Sequence, residues 1–510
     1  MLHDPMRTHS RATIVGAVLG AIGVLAFVII GFLSPAPSAP NGDGIVIGEQ
    51  SGQIYVKTGN PPKLIPTFNL ASARLLFLAQ QQGGQQGQGG APAAGGGASA
   101  EVKAPTVVPD DQLKDIPRGR RQGIPDGPQL LPTMEQRISD HWSVCDKIGL
   151  DKTLPNPADI NQTETVVFAG VSDLGRELNE NEALLVNSDT RQYLIYRLAS
   201  SPNQPNANAV RAEVDRSSSA VSVALKLPSR ARHMSAGLLN AIPEVGKLTP
   251  PQIPNAKGRP DYNLAGLTVG DVFSTSRAGA PDYWVALKSG IEQIPAAVAD
   301  MIRANGTSSS SIRELTPDKL GGIRVVSKGD SGYVSIEDYP QSVPTILDPA
   351  QGNAVSCLGW SITGEGTARD GHTAVYVGND LPGKKDNQGK LLAVDIGQES
   401  PDGLKVDKFY MEPGRAAVVR SAVSKDSFDK GPIQLISDSG LRYGIPDVAT
   451  AAALGLDQQV PAPDSIIRLL PTGASLNTRD VMRTFDSLQV DPAAGSFPSR
   501  QPQAAGTGGN

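Results

Sequence analysis

The chain holds only two cysteines, Cys145 and Cys357, in 510 residues. That excludes zinc ribbons and disulfide-dense scaffolds and leaves room for one bridge. Aromatics are also scarce, with 3 Trp, 10 Tyr and 10 Phe, so any core must be packed with Val, Leu, Ile and Ala. A basic excess is missing: 46 Lys and Arg against 51 Asp and Glu give a net charge of −5, which argues against a general nucleic-acid binder. The 5 histidines show no metal-ligand spacing, so no metal site is expected. What the chain has in excess is Gly (55) and Pro (41), residues of turns and joints. A hydrophobic share of 39% still suffices for folded cores and excludes a wholly disordered protein. At this length about two to four domains are expected.

One long apolar run is present. Residues 12–33 carry no charge, and as a helix they would span about 33 Å, enough to cross a bilayer once. Arg7 and Arg11 precede the run and no basic residue follows it closely, which places the N-terminus in the cytoplasm and the rest outside. A cleaved signal would have a shorter apolar region, of about 7 to 15 residues. Gly16 and Gly20 form a GxxxG on which another helix could pack closely. Outside the membrane, Cys145 and Cys357 meet an oxidising compartment. One disulfide is the expected product, contributing on the order of 5 kcal/mol in the chain-entropy picture, with two buried free thiols as the other reading.

Beyond the run, a unit recurs four times: a short strand, a turn, a second strand ending at Pro or Asp, then an Ala-rich helix. The copies begin at Ile54, Tyr193, Tyr283 and Ile433. Pro or Asp suits the first turn of a helix, and Gly suits the hairpin turn, as in Ser289-Gly290 and Ser439-Gly440. The fold class expected is α+β: a single N-terminal transmembrane helix, then an elongated extracytoplasmic domain with a central β-sheet region and four small hairpin-helix repeat lobes. The central region is expected from residues 165–174, 322–334 and 371–396. The order begins with a cytoplasmic stub (1–11), the transmembrane helix (12–33), a first lobe (34–78) and a Gly/Gln-rich flexible linker (79–101). A central segment with Cys145 (102–182), a second lobe (183–235), a connector (236–280) and a third lobe (281–306) follow. A central segment with Cys357 (307–430), a fourth lobe (431–488) and a disordered tail (489–510) complete it.

Few motifs point to chemistry. Gly378-Asn379-Asp380-Leu381-Pro382-Gly383-Lys384-Lys385 has the GxxxxGK of a phosphate-binding loop but Lys where the Mg²⁺-binding Ser or Thr belongs. The turn chemistry after it predicts a hairpin rather than a helix whose N-terminus would hold phosphate. Gly329-Asp330-Ser331-Gly332 resembles a serine-protease nucleophile loop, yet no histidine in a partner context accompanies it. Arg118, Arg120 and Arg121 form a small basic patch, expected as a solvated loop. No catalytic constellation is present.

A run of blocks in one order resembles EccB, the single-pass core component of the type VII (ESX) secretion machinery of mycobacteria and related actinobacteria. They include residues 4–11, Tyr55-Val56, 69–75, Trp142-Ser143-Val144-Cys145-Asp146, 237–243 and 253–256. Cys357, Gly440-Leu441-Arg442-Tyr443-Gly444-Ile445-Pro446, Arg468-Leu469-Leu470 and Phe485-Asp486-Ser487-Leu488 follow. The resemblance implies repeat lobes around a central β domain with one disulfide, at Cys145 and Cys357. It implies assembly with the EccC ATPase, EccD and EccE beside a mycosin protease, and with copies of itself, in the plasma membrane. The family often bears an ATPase label, with ATP-binding and hydrolase terms; the GxxxxGK residues Gly378, Gly383 and Lys384 are the weak near-miss, and no cofactor is expected from the residues. Family members usually carry a further basic stretch ahead of the position of Met1, and the Gln/Gly run and the insert in the second unit depart from the family pattern. The function expected is therefore a structural subunit shaping assembly and an exit path, with an extracytoplasmic ATPase or a cell-wall binding module as alternatives.

Overall fold

Strand formers and turn formers alternate over most of the chain, and the result is a mixed α+β fold dominated by sheets. The computed structural model describes residues 41–85, 104–151, 153, 158–188, 191–198, 209–215, 218–264, 266–277, 280–308, 311–397, 403–404 and 406–485. The run at 12–33, with Gly16 and Gly20, and the tail at 489–510 lie outside them. Among the described residues no helix is long and apolar enough to cross a membrane. The chain forms two compact units: Met1–Gln129 with Ala452–Leu454 and Leu476–Asn510, and Leu130–Ala451 with Gly455–Ser475.

The first unit holds a four-stranded sheet in the order Lys63–Pro66, Ile54–Thr58, Gly44–Gly48, Thr106–Val108. The first three strands are antiparallel and the last runs parallel to Gly44–Gly48. A parallel return needs a long crossover, and the helix Leu70–Gln85 supplies it. Asn69 caps that helix by accepting the Ser72 N–H at 2.8 Å, and Ala73, Leu75 and Leu76 are buried. The helix runs on through Gln80 to Gln85, where the sequence led us to expect the flexible linker of 79–101 to have begun. Gln is a good helix former, and the helix also takes in Gly83 and Gly84; residues 86–103 lie outside the described set. The basic patch is fastened to aromatic rings: Arg118 lies over Tyr55 at 5.6 Å and Arg121 over Phe68 at 5.3 Å.

The second unit holds three further sheets of the same kind. Their orders are Ala209–Glu213, Arg191–Arg197, Glu182–Ser188, Arg232–His233; then Ile291–Ile294, Ala280–Ala286, Val272–Arg277, Arg313–Glu314; then Arg442–Ile445, Ile433–Ser437, Ala416–Ala422, Val460–Pro463. In each, the fourth strand is parallel to the first in the chain, and a helix follows the third: Ser219–Ala224, Ala296–Ala304 and Val448–Ala453. The hairpin-helix units legible in the sequence are thus the middle of a larger pattern, with one strand before and one after. The second sheet is further extended by Thr345–Ile346 on Glu182–Ser188.

A seven-stranded central sheet has the order Val394–Asp395, Lys408–Tyr410, Ala158–Ala169, Trp142–Asp151, Val355–Thr363, Asp370–Gly378, Arg176–Glu177. Residues 322–334, expected in this sheet, lie instead on the third: the Ile291 N–H donates to the Arg324 carbonyl at 2.9 Å and the Val326 N–H to the Ile291 carbonyl at 2.8 Å. Glycines at 329 and 332 break the segment into turns, so it adds an isolated bridge at Val325 rather than a strand. Alternation along Trp142–Asp151 sends Trp142 and Val144 into one core with Leu358 and Val375, and Cys145 into another with Val166, Phe168 and Cys357. Both faces of the central sheet are therefore buried.

Candidate functional site on the central sheet

Three features converge on the central sheet. The first is a buried carboxylate. Asp146 is 0% exposed and accepts the Ser235 N–H at 2.7 Å, the Ser235 hydroxyl at 2.8 Å and the Thr165 hydroxyl at 2.8 Å. Burial pushes its carboxyl above the usual range, while the bonds from Ser235 and Thr165 and the charge of Arg232 pull it down. Ser235 in turn caps the helix Ala236–Ala241, accepting the Leu238 N–H at 3.1 Å. Two of the blocks that carry the family resemblance, around Cys145-Asp146 and around Gly237–Pro243, are joined by this one carboxylate.

The second feature is the disulfide. Cys145 and Cys357 are direct partners on neighbouring antiparallel strands, with Cα atoms 4.0 Å apart, and the bond between their sulfurs closes a sequence separation of 212. Both are buried, and Leu381 and Leu391 pack in the same core. These leucines belong to the GxxxxGK loop, which is a hairpin: Lys385 bridges Leu391, and the Leu392 N–H donates to the Lys384 carbonyl at 2.9 Å. Gly383 has φ +92°, and a Cβ there would stand 3.1 Å from both Leu391 and Tyr410. Lys384 pairs with Glu412 at 2.6 Å, and Lys147 and Lys385 both reach Asp380 at 2.6 Å. Partial burial alone would raise the Asp380 carboxyl, but the two lysines outweigh it and hold it down at about 2. The ammonium groups of Lys384 and Lys385 thus each face a carboxylate, and among the described residues no helix N-terminus follows Gly383 in this hairpin.

The third feature is a cleft of about 460 Å³ walled by Ile242, Pro243, Trp360, Phe428, Asp370 and Asp464. Trp360 meets Phe428 edge-on at 6.2 Å, and Val423 at the rim is 82% exposed. The helix that Asp146 positions ends at this wall, since Ile242 is its C-cap.

The remaining motif residues stay apart. In the Gly329–Gly332 turn, Asp330 accepts the Ser327 N–H at 2.9 Å and pairs with Arg324 at 2.7 Å, while Ser331 is exposed. His141 lies beside Asp140, and His372 has a buried Nδ1 with no hydrogen-bond partner. Among the described residues no group of His, Cys, Asp or Glu could hold a metal. Glu292 was missed from the sequence although it shares a strand face with Ile294. It is 2% exposed, takes the Val334 N–H at 2.9 Å on one oxygen and has no partner on the other. Burial raises its carboxyl to about 7; the Val334 bond pulls it down and the Glu337 charge pushes it up.

The family profile described as "Type VII secretion system ESX-1, transport TM domain B" matches residues 1–490. The chain is similar to the "ESX-3 secretion system ATPase EccB3" of Mycolicibacterium smegmatis, at 28% identity over 96% of this chain and 87% of the relative. It is also similar to the "ESX-1 secretion system ATPase EccB1" of Mycobacterium tuberculosis, at 26% identity over 98% of this chain and 92% of the relative. Its fold is that of a chain in an intact ESX-5 inner membrane complex, with a TM-score of 0.68 at 22% identity, covering 98% of this chain and 92% of that one. The same holds for the EccB3 dimer from the ESX-3 core complex, with a TM-score of 0.66 at 23% identity, covering 86% of this chain and all 100% of the other. A profile match over nearly the whole chain means that the chain belongs to the EccB family of type VII secretion components.

Proposed function

We propose that this chain is a structural subunit of a type VII secretion complex in the plasma membrane, anchored by residues 12–33 as a single span with its N-terminus in the cytoplasm. The sheets then stand outside the membrane, where they shape assembly and the exit path. The observation that carries this reading is the profile match to residues 1–490. A disulfide between two buried, cross-strand cysteines supports an oxidising location for the central sheet. We read the four small sheets as repeat lobes of one ancestral unit, because they share strand order and the place of the helix. The partners proposed are an EccC ATPase, EccD, EccE, a mycosin protease and further copies of this chain. Deleting the gene tests the role: the membrane complex should fail to assemble and export should stop, whereas an intact complex in the deletion strain would overturn it.

A second reading rests on the word ATPase in the names of the relatives. It predicts that the purified chain hydrolyses ATP and that Lys384→Ala abolishes turnover. The pairing of Lys384 with Glu412 favours instead a structural role for that lysine. Turnover unchanged by the substitution would exclude the loop as its site.

A further inference from the structure

The GxxxxGK hairpin covers the only disulfide of the chain. Cys145 is 0% exposed and Cys357 is 1% exposed, and the side chains of Leu381 and Leu391 lie in the same core as the two cysteines. The hairpin closes on itself, since the side chain of Asp386 accepts the N–H groups of Gln388 and Lys390, each at 2.8 Å. Beyond these two leucines, its polar ties to the sheet among the described residues are the Asp380 to Lys147 pair, the Lys384 to Glu412 pair, and the Lys384 N–H on the Tyr410 hydroxyl at 3.1 Å. The partners in both ion pairs are well exposed, from 39% to 72%. Exposed pairs hold weakly, so the hairpin is a segment able to open as a unit while the sheet beneath stays paired.

We propose that residues 379–393 form a gate over the Cys145–Cys357 bond, which controls access of thiol reductants to it. With the gate shut, no thiolate can reach either sulfur in line with the bond. With it open, one thiolate of a dithiol attacks a sulfur of the pair, forming a mixed disulfide and releasing the other cysteine as a thiolate. The second thiol of the reductant then displaces the remaining cysteine. Two electrons pass to the pair, the dithiol becomes a disulfide, and the two cysteine thiolates take up protons from water. The strands that carry the two cysteines are also joined by their backbone ladder, from Val355 opposite Lys147 to Trp360 opposite Trp142.

The test is the rate of reduction of the full chain in detergent by dithiothreitol, quenched by alkylation and read by mass as free thiols at 145 and 357. Asp380→Asn removes the pairs with Lys147 and Lys385 and leaves Lys384 on Glu412, and Leu391→Ser removes part of the hairpin's buried face. Asp380→Asn should speed reduction about two- to fivefold, as fits an exposed pair, and Leu391→Ser about tenfold or more, with the wild-type rate nearly flat in low urea. Val298→Ala, in the core of the third sheet, lowers global stability without touching the hairpin and should leave the rate unchanged. Rates that follow global stability in all three variants, or hairpin variants reduced no faster than wild type, would overturn the gate.

Discussion

The carboxylate of Asp146, one residue past the disulfide strand's cysteine, holds both the backbone N–H and the hydroxyl of Ser235, which lies 89 positions later in the chain. Through that pair the central sheet positions the helix Ala236–Ala241 and the wall of the cleft. Replacing Asp146 by Ala takes the acceptor from three donors, the Ser235 N–H and the hydroxyls of Ser235 and Thr165, and should cost about 3 kcal/mol. Ser235→Ala, which removes the cap but leaves the N–H bond, should cost about 1 to 2 kcal/mol. Thermal melts of the full chain in detergent check both, and equal melting points for wild type and Asp146→Ala would contradict the role.

Glu292 sets a pH dependence. Its carboxyl moves from an ordinary 4.5 to about 7 in the fold. The folded chain therefore binds more protons than the unfolded one between these values, and stability falls as pH rises across that window. The full contribution is present below the ordinary value and about 3 kcal/mol is lost above the raised one. Glu292→Gln should flatten this stretch and leave the chain more stable than wild type at alkaline pH. Urea titrations at a series of pH values read the slope, and an unchanged slope in the variant would refute the assignment.

Gly440 tests the hairpin turn of the fourth sheet. Its φ is +83°, and a Cβ would lie 2.9 Å from the Ile396 side chain and 3.1 Å from Phe409. Gly440→Ala should lose about 2 kcal/mol, from backbone strain and from pushing these neighbours apart. A melting point within error of wild type would show that the turn can relax.

Much of the small-sheet pattern was legible because it is local. In the third sheet, Tyr283 to Leu287, the Ser289-Gly290 turn and Ile291 to Pro295 announce a hairpin, and Ala296 to Ala304 a helix, within one stretch of sequence. The strands that complete each sheet were hidden. Arg313–Glu314 and Arg232–His233 are two residues long and are strands only because a parallel neighbour pairs with them. Residues 322–334 misled for the opposite reason, since Val325, Val326 and Val334 read as strand formers while Gly329 and Gly332 decide the backbone. Likewise GxxxxGK is a local signal whose meaning is set by distant residues. Glu412 and Lys147 neutralise its charges, and the disulfide core accepts its leucines. The convergence of Asp146 with Ser235 is wholly non-local and could not be read from spacing.

The most direct measurement of the central claim is purification of the tagged full-length protein from its own membranes in mild detergent, with native sizing and mass spectrometry of the proteins that accompany it. A structural subunit predicts recovery in a very large assembly that contains an EccC-type ATPase. Recovery of correctly inserted protein alone, at the mass of a single chain, would contradict it.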